Sequence, residues 1–197
     1  MTSLINEFCD LIQKDIELVG DILEFGTGSG DSTRTISTRT IGKKIITFDG
    51  FVGLPKTEKG IPKETGWDEG NLKFDYNNTI LKLSKYEKVK IYKCMSWELT
   101  EPSDYGIDEV SSVNFDFDLY EGTLDALRFV QKCKWEKILF RFDDWGAYHF
   151  QVAEEVDKHE KAAFYDWINE TNYSFRELKN YTNLSSGLQT IIEVKRK

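Results

Sequence analysis

Short apolar runs alternate with amphipathic stretches along most of the chain. In residues 4–18, Leu4, Ile5, Phe8, Leu11, Ile12 and Ile16 share one helical face, which predicts an N-terminal helix within residues 1–19. Five strand-like runs follow, at Asp21–Phe25, Lys44–Phe48, Val89–Tyr92, Val113–Phe115 and Ile138–Phe142. Between the last two, Leu124, Leu127 and Val130 recur every third residue and predict a helix over Thr123–Cys133. Strands that alternate with helices make a parallel sheet covered on both faces. Near the C-terminus the rhythm changes. Tyr173–Leu178 and Leu188–Val194 read as two strands joined by the turn-rich Asn183–Gly187, an antiparallel hairpin at a sheet edge. The expected fold is α/β: a doubly wound, mostly parallel seven-stranded sheet in one domain over residues 1–197. The stretch Gly53–Asn78, rich in Gly, Pro and charge, is too long for an ordinary connection and reads as a substrate loop or lid.

Composition narrows the function classes. A 40% hydrophobic chain with 14% aromatic residues builds a core rather than a disordered segment. Its 26 Lys and Arg against 34 Asp and Glu give a formal charge of −8, which disfavours a nucleic-acid partner, since that requires a basic footprint. Cys9, Cys94 and Cys133 are odd in number and widely spaced, as reduced, packed thiols are. No apolar run approaches the roughly 20 residues of a membrane span, and MTSLINEFCD lacks the basic region and apolar segment of a signal peptide. A cytoplasmic protein with no membrane partner is expected, and a homo-oligomer is compatible with the sequence.

The first chemical motif is Asp21-Ile-Leu-Glu-Phe-Gly-Thr-Gly-Ser-Gly-Asp-Ser-Thr33. A strand leads into Gly26, Gly28 and Gly30, and a helix capped by Asp31 or Ser32 follows. The glycines let the backbone turn tightly and let a nucleoside approach the main chain. The third glycine of the dinucleotide fingerprint G-x-G-x-x-G would fall at Asp31, and an aspartate beside a pyrophosphate is electrostatically wrong. A phosphate-free, cationic nucleoside such as S-adenosylmethionine avoids that clash, with Glu24 placed to receive its positive end. Asp49 ends the second strand roughly 20 residues on, where an acid accepts ribose hydroxyls.

The second motif is Asn114-Phe-Asp-Phe-Asp-Leu-Tyr-Glu-Gly-Thr-Leu-Asp-Ala-Leu127. A period of two puts Asp116 and Asp118 on one side at the strand's C-terminal end, where open α/β sheets bind ligands. Asp143 and Asp144 of Phe140-Arg-Phe-Asp-Asp-Trp-Gly146 lie at the same end of the next strand. Four converging carboxylates need neutralising, and oxygen donors without paired Cys or His suit Mg²⁺, Mn²⁺ or Ca²⁺ rather than zinc. Capping of helices is nearly as good an account of Asp118 and Glu121.

Glu24–Gly30, Phe48–Pro55, Phe115–Leu127 and Phe142–Gly146 together resemble the macrocin O-methyltransferase family, over about Gly20 to Trp167. His159-Glu-Lys-Ala-Ala163 falls where that family tends to carry an acidic, alanine-containing helix. The resemblance implies a class I, Rossmann-like S-adenosylmethionine-dependent methyltransferase that acts on a sugar or phenolic hydroxyl with Mg²⁺. It implies Asp116, Asp143 and Asp144 as metal ligands, and Glu24, Gly26, Gly28, Gly30 and Asp49 along the cofactor site. Ser32 and Ser96 are further cofactor candidates. Ser96 ends Cys94-Met95-Ser96, where the family commonly carries a glycine, and Lys134–Lys137 replaces its usual Gly-Gly turn.

Methyl transfer to an alcohol needs the hydroxyl oriented and its proton removed. Asp116, Asp118 and His149 are the catalytic candidates, with an exposed-loop role the simpler reading of His149. Trp67, Phe74, Tyr76, Trp145 and Tyr148 flank the motifs and suit stacking on an acceptor, a saccharide or glycosylated small molecule, as well as they suit the core. Two rivals stay open: a nicotinamide-dependent oxidoreductase, and a catalytically silent nucleoside- or metal-binding module.

Overall fold

The computed structural model describes residues 3–61, 66–146, 158–183 and 187–197. In chain order the elements are α1 (Leu4–Lys14), β1 (Asp21–Phe25), α2 (Asp31–Arg39), β2 (Ile45–Asp49), α3 (Tyr76–Leu83), β3 (Val89–Lys93), β4 (Val110–Phe115), α4 (Tyr120–Lys132), β5 (Lys137–Gly146), α5 (Glu160–Thr171), β6 (Ser174–Asn183) and β7 (Gly187–Lys195). The seven strands form one sheet in the order β3-β2-β1-β4-β5-β7-β6. β1 to β5 are parallel to one another, and β7 runs antiparallel to both β5 and β6. The strand order reverses between β1 and β4, and the crevice beyond the strand ends at such a switch point is where ligands bind.

Alternation along each strand makes two unlike faces. On one, Ile22, Ile45, Leu139 and Ile191 pack beneath Leu4, Phe8, Cys9 and Ile12 of α1 and Ile36 of α2. On the other, α4 and α5 cover a larger core with Ala126, Leu127, Phe129, Phe164 and Trp167. The last core-facing residue of each parallel strand is aromatic. Tyr92, Phe48, Phe25, Phe115 and Phe142 stack in register across five strands, with successive ring centroids 5.7, 5.2, 5.7 and 4.7 Å apart. This plate is a rigid floor under the strand ends.

The N-terminal helix stops earlier than its apolar pattern predicts. Asp15 and Glu17 leave the helical path and engage Lys137 of β5, at 2.5 and 2.9 Å, and Ile16 is left 93% exposed. Residues 53–61 and 66–75 are irregular, as expected, and α3 begins within the last few residues of the predicted loop. Cys9, Cys94 and Cys133 are free thiols. No described helix is long and apolar enough to cross a membrane.

Candidate active site

At the C-terminal ends of the strands lies a cleft of two connecting lobes. One encloses about 570 Å³ between Asp49, Gly50, Leu54, Met95, Ser96 and Leu119. The other, about 1,230 Å³ and more open, runs between the glycine loop, Trp67, Phe74, Arg141 and Asp143. Gly26, Asp49, Leu72, Asp116 and Asp118 line both.

The glycine loop is shaped by contacts that admit no side chain. At Gly26, with φ +95°, a Cβ would lie 1.9 Å from the Asp116 carbonyl oxygen, so only glycine lets the end of β1 run this close to the end of β4. Gly28, with φ +51°, lies under the Phe74 ring, 3.2 Å from where its Cβ would be. Its amide donates to Asp49 Oδ2 at 2.8 Å, while the Phe51 amide donates to Asp49 Oδ1 at 2.6 Å. Burial pushes the Asp49 carboxyl above the ordinary range, and these bonds oppose that rise. Helix α3 holds the loop from outside: Thr79 donates to the Gly28 carbonyl at 2.9 Å and Lys82 to the Ser29 carbonyl at 3.0 Å.

Two expected cofactor residues, Gly30 and Glu24, line neither lobe. Gly30, in the left-handed conformation, is the N-cap of α2 and packs on Leu83, so neither Asp31 nor Ser32 caps the helix. Ser32 lines the open lobe from the first turn. Glu24 is fully buried and lines neither lobe; it accepts hydrogen bonds from Thr33 and from Asn114, the latter at 3.0 Å. Burial raises its carboxyl above the usual range. Glu24 therefore supports the loop from below and does not face a ligand. Ser96 lines the narrower lobe while donating to Asp125 at 2.8 Å.

The four carboxylates lie close enough for Asp143 and Asp144 both to act on Asp116, but their contacts differ. β5 carries a bulge against β7, where the register shifts between Phe142 and Gly146. A bulge re-aims side chains. Asp144 turns towards Asp116 and Asp118, and one oxygen from each of the three lies within 4.8 Å of the others. Asp143, expected as a ligand, instead pairs with Arg141 and accepts from Gln189 at 2.5 Å. Asp118, with φ +64°, takes the place in the trio that Asp143 was expected to hold. Burial first, and then the neighbouring carboxylates, raise Asp116 and Asp118 well above the usual carboxylate range. Three converging oxygen donors of this kind fit a hard divalent cation. His149 and Tyr148 lie outside the described residues.

Two features escaped the sequence reading. Glu24, Asn114 and Arg141 occupy one register row of β1, β4 and β5, with Arg141 donating to Asn114 Oδ1 at 2.6 Å. An arginine inside the apolar run Ile138–Phe142 was the available signal, because a buried guanidinium demands partners. The other feature is Glu160, fully buried at the start of α5.

The sheet order, with its antiparallel seventh strand and a glycine loop after β1, is the class I methyltransferase, Rossmann-like fold. The O-methyltransferase NovP superposes with a TM-score of 0.67 at 17% identity, over 98% of this chain and 78% of that one. The calicheamicin methyltransferase CalS11 gives 0.66 at 15% identity, over 94% and 77%. An O-methyltransferase from Bacillus cereus, solved with S-adenosylhomocysteine (SAH), gives 0.62 at 12% identity, over 100% and 82%. No family model matches the sequence, and no curated protein is significantly similar to it.

Proposed function

We propose that this protein is an S-adenosylmethionine-dependent, divalent-metal-assisted O-methyltransferase of the macrocin type, acting on a hydroxyl of a saccharide or glycosylated small molecule. The observation that carries the reading is one cleft at the β1/β4 switch point, in which the Gly26–Gly28 loop and Asp49 lie beside the Asp116 and Asp118 carboxylates, with the buried Asp144 carboxylate against them. The O-methyltransferases of the same fold support it, as do the four ordered sequence motifs. Asp31, exposed in the first turn of α2 and lining the open lobe, disfavours a dinucleotide pyrophosphate there.

When bound, the cofactor would supply an electrophilic methyl group, and Asp116, Asp118 and Asp144 would hold a divalent cation able to acidify an acceptor hydroxyl. The chain supplies the rest. Gly26 and Gly28 line the open lobe where the nucleoside would lie, and the Asp49 carboxylate faces both lobes, where it would accept from a ribose hydroxyl. Gly26, Gly28 and Asp49 would hold the cofactor with its methyl group towards the lobe lined by Asp116 and Asp118, where an acceptor hydroxyl would be oriented for transfer. The hydroxyl proton passes to a carboxylate lining both lobes, Asp116 or Asp118. Trp67 and Phe74 line the open lobe, and aromatic rings there would suit stacking on a sugar's C–H face.

Calorimetric titration with SAH and with NAD, followed by transfer of labelled methyl to a panel of glycosylated acceptors with and without Mg²⁺, tests the proposal. SAH binding and metal-stimulated labelling are expected. Binding of NAD alone overturns it.

A further inference from the structure

Glu160 makes an arrangement that the proposed chemistry does not by itself require. Its carboxylate is fully buried, and each oxygen accepts a different backbone amide: Phe117 N–H at 3.2 Å on Oε1 and Asp144 N–H at 3.0 Å on Oε2. Phe117 is the residue between Asp116 and Asp118, and Asp144 carries the third carboxylate of the trio. One side chain from α5 thus bridges the two backbone segments that hold all three acids. These segments belong to different strands, and beyond Phe115 and Phe142 no β4–β5 register pair ties them together.

The choice of residue is informative. A fourth acid beside Asp144 and Asp143 is electrostatically unfavourable, and burial together with Asp144 raises the Glu160 carboxyl well above its usual range. An amide side chain of equal length would remove that repulsion, but it has a single acceptor and would set its N–H₂ against one of the two backbone donors. Only a carboxylate satisfies both amides at once. We propose that Glu160 is a positioning residue that fixes the spacing of the Asp116/Asp118 pair relative to Asp144, and through it the affinity of the site for a divalent cation. This role rests on the metal-assisted reading given above.

The test separates geometry from charge. Glu160→Asp keeps the charge and shortens the arm by one methylene, so it cannot reach both amides; Glu160→Gln keeps the length and loses the charge and one acceptor. Mg²⁺ affinity is measured by calorimetry, and exchange of the Phe117 and Asp144 amides by NMR in metal-free protein. SAH affinity serves as the check that each variant is folded. Expected are at least tenfold weaker Mg²⁺ binding in both variants, at least tenfold faster exchange of those two amides, and unchanged SAH binding. If Glu160→Asp does not fold, Glu160→Gln carries the test through the amide exchange. Wild-type Mg²⁺ affinity in Glu160→Asp with loss only in Glu160→Gln overturns the proposal, since Glu160 then acts through charge alone. A wild type that binds SAH but no Mg²⁺ overturns this role and the metal assistance, and leaves the methyltransferase reading standing. A wild type that binds neither overturns the methyltransferase reading as well.

Discussion

The Gly28 amide points at the Asp49 carboxylate across the mouth of the sheet, 2.8 Å from Oδ2. The acid at the end of β2 therefore shapes the glycine loop besides facing the cleft. Asp49→Ala removes this bond, the one to Phe51 and any to ribose. SAH affinity should fall by roughly 1–3 kcal/mol, about 5- to 150-fold, as charge-assisted hydrogen bonds are lost. Unchanged affinity by calorimetry would place the cofactor elsewhere.

Gly28→Val should abolish SAH binding in a folded protein. A β-branched residue is strained at φ +51°, and its Cβ would press on Phe74 at 3.2 Å. Circular dichroism shows the fold, and titration shows the loss. A variant that binds as wild type does would mean the nucleoside does not pass over this backbone.

The two adjacent acids of β5 should behave in opposite ways. Asp144→Asn relieves repulsion in the trio, so the metal-free protein should melt a few degrees higher and lose its response to Mg²⁺. Asp143→Asn breaks a pair with Arg141, which is only 5% exposed. It should cost about 1–3 kcal/mol, at about 2–4 °C per kcal/mol for a chain of this size. Melting curves of both variants with Mg²⁺ and with EDTA decide the matter. Equal destabilisation by both, in a wild type indifferent to metal, would make the whole cluster scaffolding.

Glu24 gives a dependence on pH. Burial raises its folded pKa above the ordinary glutamate value, so the native state holds this proton more tightly than the unfolded chain does. Its contribution is fully present below about pH 4.5 and is lost as pH rises through the raised value. Glu24→Gln removes the titration, and Thr33 can turn its hydroxyl to accept from the new amide. The melting temperature of Glu24→Gln relative to wild type should therefore climb from pH 5 to pH 8. A difference that shrinks over that range would show that Glu24 is held as a stabilised anion.

The parallel sheet and its paired edge were legible because β1, β2 and β5 are buried and carry short apolar runs, while the β6–β7 hairpin carries its own turn signal. That Asp116 and Asp144 meet was legible from the parallel topology, whereas Asp118 joins them through a left-handed turn beyond the end of β4 and not through the alternation of a strand. The diversion of Asp143 to Arg141 was not, since a bulge depends on the partner strand and leaves no local signature in Phe142–Gly146. Glu24 was misread for a related reason: the motif gives its position, but which way a buried acid turns is decided by Asn114, 90 residues away. Glu160 belongs to α5, and nothing within Glu160–Thr171 reveals that its partners are backbone amides of other elements.

The buried row that joins Glu24, Asn114 and Arg141 to Asp143 bears on how such a chain diverges. Replacing one member leaves a donor or acceptor stranded in the sheet, so tolerated changes must come in sets. A descendant that exchanges Arg141 for an aliphatic residue should also have given up the acid at 143 or the amide at 114. Aligned relatives would then show these four columns varying together, at positions far apart in the chain.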